Sequence, residues 1–431
     1  MSAPAGDAAA AGRTRAGSLL GDSLWNVAGM VVPAILAIPT FGILARTLGA
    51  ERFGLLTLAW TLVGYVALLD LGISRSVCWI VARDPGDPRH HAAILGSALT
   101  VSLALGTAMA AALWLAAGSA PELLGVSPGV AAEAVVATRA VALTVPPLMA
   151  YTVLQALLEG LQRFREVNIQ RAVTGGLLAS LPVAFVLVTP SLPAAVWGIV
   201  VARFAGTAFT WWRVRSLTQL RPSRFEPTTF RHLFTYGGWI AVSNFVSPLM
   251  GYMDRFWLAN RIGAAGVAVY SAPAELIARA TIVPVAIARA LFPRISGSRM
   301  GGADRAAVSG RATALALASG GPIGLVFFAF AEPLLRLWLG AEIATGAAPV
   351  LRILALGYVV SALAQIPFSV LQARGHSRAT ALAHLVEVAP YFALLFLLGS
   401  RFGAVGVAWA WTARVVADYF ILSLQARWLT R

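Results

Sequence analysis

Long apolar runs recur from one end of the chain to the other. They cover Leu24–Leu44, Leu55–Val81, Ala92–Gly118, Ala132–Leu158, Asn168–Val188 and Ala194–Trp212. A basic stretch, Arg213–Arg231, interrupts them. They then resume as Leu233–Met253, Val267–Pro293, Ala312–Phe330, Ala347–Leu371, Ala379–Leu398 and Ala404–Leu424. A bilayer core takes about 20 apolar residues per helix, so each run is long enough to cross one. Twelve such helices use about 240 positions. The remainder of a 431-residue chain is too short for tails, loops and a sizeable soluble domain together. Only 12% of the residues are charged, about half the roughly 25% of a soluble globular chain. The reading is an all-α, polytopic membrane protein with twelve transmembrane helices.

Charge placement orients the spans. All 33 basic residues are arginine. With the N-terminus inside, nineteen of them fall in cytoplasmic tails and connections: Arg13, Arg15, Arg83, Arg89, Arg163, Arg165, Arg213, Arg215, Arg221, Arg224, Arg231, Arg294, Arg299, Arg305, Arg311, Arg374, Arg378, Arg427 and Arg431. The outer connections hold six: Arg46, Arg52, Arg255, Arg261, Arg336 and Arg401. This positive-inside bias places both termini in the cytoplasm. The net charge of +15 then reads as an orientation signal and an attraction to anionic membrane lipids, with no nucleic-acid partner. The first run exceeds a signal-peptide core and is kept as a span. The expected division is a cytoplasmic tail 1–18, an N-lobe 19–212, a linker 213–232, a C-lobe 233–424 and a cytoplasmic tail 425–431. The single cysteine, Cys78, excludes a disulfide framework and a cysteine-based metal centre.

The two halves resemble each other at an offset of 211–214 residues. Leu48-Gly49-Ala50 falls on Ile262-Gly263-Ala264, and Trp25 on Trp239. Thr138-Arg139 falls on Leu351-Arg352, and Ala202-Arg203 on Ala413-Arg414. Six spans per repeat is an even number, so both lobes insert the same way. Their pseudo-two-fold axis then runs along the membrane normal, with the substrate path between the lobes.

Several short motifs carry a family resemblance. They include Asn26, Pro39, Ala45-Arg46, Leu48-Gly49, Phe53-Gly54, Gly64-Tyr65 and Leu69-Asp70-Leu71-Gly72. Further along are Gly160-Leu161-Gln162-Arg163-Phe164, Asp254-Arg255, Tyr270-Ser271 and Gly375-His376. Together they resemble the polysaccharide (O-antigen type) flippases of the multidrug/oligosaccharidyl-lipid/polysaccharide exporter superfamily. The resemblance implies a MATE-like fold, alternating access and a substrate of oligosaccharide on undecaprenyl pyrophosphate. It also implies a bacterial inner-membrane setting for polysaccharide biosynthesis, among glycosyltransferases and a polysaccharide polymerase. An ion-coupled multidrug exporter and a membrane glycan polymerase or ligase are the competing readings. Against an enzyme stand the missing catalytic constellation, the missing Walker loop and the short outer connections.

Ionisable groups within spans are costly and so are the candidates for function. Arg203 lies about 15 Å into its span with no acidic residue on the same helix, so it should face a polar cavity or another helix. Arg414 repeats it, with Asp418 one turn away as a partner. Glu275 and Arg279 have the favoured i,i+4 order. Arg139 and Arg352 sit near the outer ends, and Arg75 and Arg289 near the inner ones, where snorkelling competes with substrate binding. With Asn26, these arginines form the expected substrate set, since guanidinium grips pyrophosphate bidentately. Asp70, Glu275 and Asp418 are the expected ion-coupling groups, for H+ or Na+, with no other cofactor and no metal. Asp70 has a rival role as the cap of a helix break. The five histidines show no metal-ligand spacing.

Overall fold

The computed structural model describes residues 6–66, 70, 72–83, 87–288, 302–374 and 376–429, with backbone alone at 6–32, 34, 230–252, 302–306 and 377. Among them there are helices and no strand. In chain order these are α1 (Gly6–Val66), α2 (Ile73–Arg83), α3 (Pro88–Ala116), α4 (Ala120–Leu123), α5 (Pro128–Ala142), α6 (Val145–Gly160) and α7 (Phe164–Val188). They continue as α8 (Leu192–Thr218), α9 (Pro227–Ala280), α10 (Gly302–Ala329), α11 (Ala331–Leu339), α12 (Ala341–Ala373) and α13 (Ser377–Leu429). Eight helices among the described residues are long and apolar enough to cross a membrane.

Local chemistry sets the ends of these helices. Asp87 precedes Pro88 and accepts from the amides of Arg89 and His90 at 2.9 and 3.1 Å, an N-cap for α3. The His90 and Arg89 amides also hold the Asp87 carboxyl below its ordinary range. The expected fourth span is split into α5 and α6 at Leu143-Thr144, just before Pro146-Pro147, because a proline cannot donate to the preceding turn. The expected second span is likewise broken. Asp70 accepts from the amides of Gly72 (2.9 Å) and Ser74 (3.2 Å) and so caps α2, with Gly72 at φ 75°.

Three helices bend at glycine. α1 bends at Gly49 (φ 74°, ψ 173°), α9 at Gly263 (φ 73°, ψ 175°) and α13 at Gly403 (φ 57°, ψ −134°). Gly49 and Gly263 are the glycines that the sequence repeat superposes, and their backbones agree to within a few degrees. Each opens a helix–turn–helix through the left-handed region that favours glycine.

The chain forms two compact units. The first comprises Met1–Thr40, Val66–Ala117 and Val136–Val242; the second comprises Phe41–Tyr65, Gly118–Val135 and Ser243–Arg431. In the first, α7 packs along α8 with Gly198 against Pro182 and Gly206 against Thr174, contacts that leave no room for a side chain. Glu166 and Arg213 form an ion pair near one end of the same helix pair. A buried apolar cluster of Ile73, Val77, Ile94, Leu95, Leu154 and Leu157 joins α2, α3 and α6.

The second unit repeats one device twice. Arg46, before the Gly49 bend, donates to the carbonyls of Arg336, Leu337 and Trp338 at the end of α11. Asn260, before the Gly263 bend, donates to Leu123 O at the end of α4, at 3.4 Å. Both side chains stand three residues before their glycine, and both donate to carbonyls in the last turn of a helix.

Candidate functional site

Buried polar side chains gather in each unit. In the first unit they lie on α6, α7 and α8. Arg203 of α8 is half-buried, its Nε has no hydrogen-bond partner, and no carboxylate pairs with it among the described residues. Tyr151 of α6, 8% exposed, is its electrostatic neighbour and also lies beside Arg171, Thr174 and Glu159. Arg171 is neutralised by Glu159 at 2.7 Å, and Glu159 also accepts from Gln155 at 2.8 Å. Gln170 is 1% exposed, and neither its amide nitrogen nor its oxygen has a partner. Arg203 therefore supplies an uncompensated positive charge in a unit that also holds the unused hydrogen-bonding capacity of Gln170. Such a surface can hold an anionic, hydroxyl-rich group.

In the second unit the charges are denser and mostly paired. Asp254 is 3% exposed and accepts from Tyr270 Oη (2.7 Å) and the Arg255 amide (2.7 Å). Arg255 donates to Thr61 Oγ1 (3.0 Å) and to Glu275 (3.3 Å). Glu275 also accepts from Arg279 at 3.1 Å, the i,i+4 pair expected from the sequence. Arg414 does not pair with Asp418 as its spacing suggested. Its Nη1 lies 3.7 Å from Glu387 Oε2, and its guanidinium stands over the Tyr391 ring at 5.7 Å. Asp418 faces His384 instead, at 3.7 Å, and Glu387 completes that group. Residues Asp418, Glu387 and His384 are near enough together to share one small cation.

The remaining expected residues are dispersed. Arg139 is exposed and stands over Trp114 at 5.8 Å. Arg75 is exposed, and Arg352 is half-buried with no ion pair among the described residues. Asp70 serves as the α2 cap described above. Asn26 and Arg289 lie outside the described side chains. Arg255, counted from the sequence as part of a loop, is a buried helical residue at 9% exposure, because α9 runs unbroken through it. His384 meets Asp418 from beyond the Gly403 bend, and no short spacing in the sequence links the two.

These features define a class: a multi-span membrane protein, helical throughout its described residues, whose interior carries arginine. The comparisons narrow it. The family model described as "Polysaccharide biosynthesis protein" matches residues 19–298, and the MatE model matches residues 240–396. The "Putative O-antigen transporter" of Shigella flexneri is 34% identical over 405 residues, covering 94% of this chain and 97% of that one. The chain belongs to the polysaccharide biosynthesis protein family of membrane transporters.

Solved structures agree on the fold. An inward-facing multidrug resistance MATE family transporter of the MOP superfamily aligns at TM-score 0.74, with 16% identity, over 93% of this chain and 97% of that one. The lipid II flippase MurJ in an inward closed conformation aligns at TM-score 0.79, with 11% identity, over 95% and 87%. These relatives are transporters and flippases, not enzymes.

Proposed function

We propose that the chain moves undecaprenyl-pyrophosphate-linked oligosaccharide from the cytoplasmic to the periplasmic leaflet by alternating access, for polysaccharide biosynthesis. The observation that carries this reading is the 34% identity along nearly the whole length of a protein named for O-antigen transport. The site chemistry supports it. A pyrophosphate crossing a low-dielectric slab needs delocalised positive charge, and Arg203 is a guanidinium without a carboxylate among the described residues. Arg414, Arg279, Arg139, Arg352, Arg75, Arg289 and Asn26 complete the proposed substrate set, with the two sequence repeats supplying the two lobes, 19–212 and 233–424. The arginine bias argues for the inner membrane with both termini cytoplasmic. Coupling to H+ or Na+ is part of the same reading, through Glu275 and Asp418 with Asp70 as a third group. Glycosyltransferases and a polysaccharide polymerase are the proposed neighbours.

An ion-coupled exporter of cationic drugs shares the fold, and the MATE neighbours support it to that extent. Arginine-rich spans disfavour it, because they repel a cation. Deleting the gene should accumulate carrier-linked glycan on the cytoplasmic leaflet. Glycan of normal size, equally accessible on both faces of the deletion strain's membrane, would contradict flipping.

A further inference from the structure

Three titratable side chains meet in the second unit, and no short spacing ties Asp418 to the other two. His384 and Glu387 sit one turn apart on the first limb of α13, and Asp418 comes from the limb beyond Gly403. The His384 Nδ1 is 3.8 Å from Glu387 Oε2 and 3.7 Å from Asp418 Oδ1. Glu387 is 4% exposed, and neither of its carboxylate oxygens has a hydrogen-bond partner. His384 Nδ1 and Asp418 Oδ1 are likewise buried and unpartnered. Buried polar atoms are almost always satisfied, so three that face one another point to something they share.

Charge decides what that is. Glu387 and Asp418 carry two negative charges, and Arg414, 3.7 Å from Glu387, returns one positive. With His384 neutral the group is left at one net negative charge. A single bound positive charge balances it, whereas a divalent ion would leave an excess in a low-dielectric interior. An alkali ion prefers an all-oxygen shell, while an imidazole between two carboxylates is a proton acceptor in the physiological range. We propose that His384 and Glu387 join Asp418 as one site of the ion coupling and that the ion bound there is a proton carried on His384.

The surroundings give the proton something to move. On α13 the group faces Arg414 and Tyr391, and on α12 the ring of Phe368 lies 6.0 Å from His384. On α9, Asp254 interacts electrostatically with Arg414 and Tyr391, and Arg255 with Tyr391. A protonated His384 and Arg414 compete for Glu387. Protonation therefore frees Arg414 to turn toward Asp254, drawing the second limb of α13 against α9. Deprotonation returns Arg414 to Glu387. Because Arg255 of α9 also holds Thr61 of α1, the exchange reaches the helix that follows the Gly49 bend.

This inference rests on the transport reading, and the test separates the two. The purified full chain, with 15N-labelled histidine in lipid nanodiscs, is titrated between about pH 5 and 9 and followed by NMR. The signal lost in His384→Gln identifies the residue. It should titrate, and Glu387→Gln or Asp418→Asn should each weaken proton binding about tenfold, a shift of about one unit. Replacing sodium by choline should leave it unmoved. A His384 signal that does not titrate, or one displaced by sodium at fixed pH, overturns the proposal. In vesicles, His384→Gln should lose the response of glycan movement to an imposed pH gradient. If His384 titrates as described but no glycan moves, the proton site stands and the transport reading falls. If His384→Gln moves glycan with the wild-type pH response, the transport reading stands and the proton site falls.

Discussion

At Arg203 a guanidinium is held in the first unit beside Tyr151 and lacks a carboxylate among the described residues. If it grips the pyrophosphate, Arg203→Ala abolishes transport while protein abundance stays near wild type. Arg203→Lys keeps the charge but loses the planar fork and retains partial activity. A structural pair would behave differently, because removing one partner of a buried pair costs about 3–5 kcal/mol and leaves little inserted protein. Transport per inserted molecule separates these outcomes, and wild-type flux from Arg203→Ala would remove the residue from the site. At Asp87 the effect is local. Its folded carboxyl is held below the ordinary value, so the cap is complete at neutral pH and weakens only as the pH falls through that lowered value. Asp87→Ala should speed amide exchange at Arg89 and His90 at neutral pH, and Asp87→Asn should restore most of the protection.

Helix bends and close contacts carry the next level. A Cβ on Gly54 would lie 1.8 Å from the Ala264 carbonyl oxygen, so α1 and α9 touch there through backbone. Gly54→Ala should cost about 1–3 kcal/mol by overpacking. Gly263→Ala should cost about 1–3 kcal/mol, because its φ of 73° with ψ of 175° is a backbone that essentially only glycine adopts. Gly118→Ala, with nothing within 4 Å, should be silent. Thermal melting of the purified protein checks all three. These glycines show what a sequence conveys. The equivalence of Gly49 and Gly263 was legible as a match between the two repeats, but the bend at each was not, because a match does not say what backbone it serves. The Asp70 cap was legible as one of two readings, because a carboxylate two residues ahead of a glycine can accept from the amides that open the next helix. The Arg255 placement was not, because only the course of α9 decides whether a charged residue near a span end is buried. Nor was the Arg414–Glu387 approach, since i,i+4 spacing favours Asp418 and only the bend at Gly403 brings the two limbs of α13 together.

Across the whole molecule, the apolar runs and the arginine bias made the membrane class and the all-helical fold legible from sequence alone. The site was legible in part. Single arginines at depth stand out, but pairings such as His384 with Asp418 depend on where distant limbs meet. The bias also predicts topology. A reporter active only outside the cytoplasm should be active when fused after Ser191 or Ala341. It should be silent after Gly302 or at the C-terminus, and the reverse pattern for either pair would break the twelve-span arrangement. Flipping itself is read most directly in vesicles holding the purified chain and a polyprenyl-pyrophosphate-linked oligosaccharide, with an impermeant glycosidase added outside. Protein-free vesicles should keep the inner-leaflet glycan protected, and vesicles with the wild-type chain should lose that protection. Protection equal to that of empty vesicles, in a preparation that moves a cationic drug across the same membrane, would contradict a glycan-lipid flippase and favour the exporter.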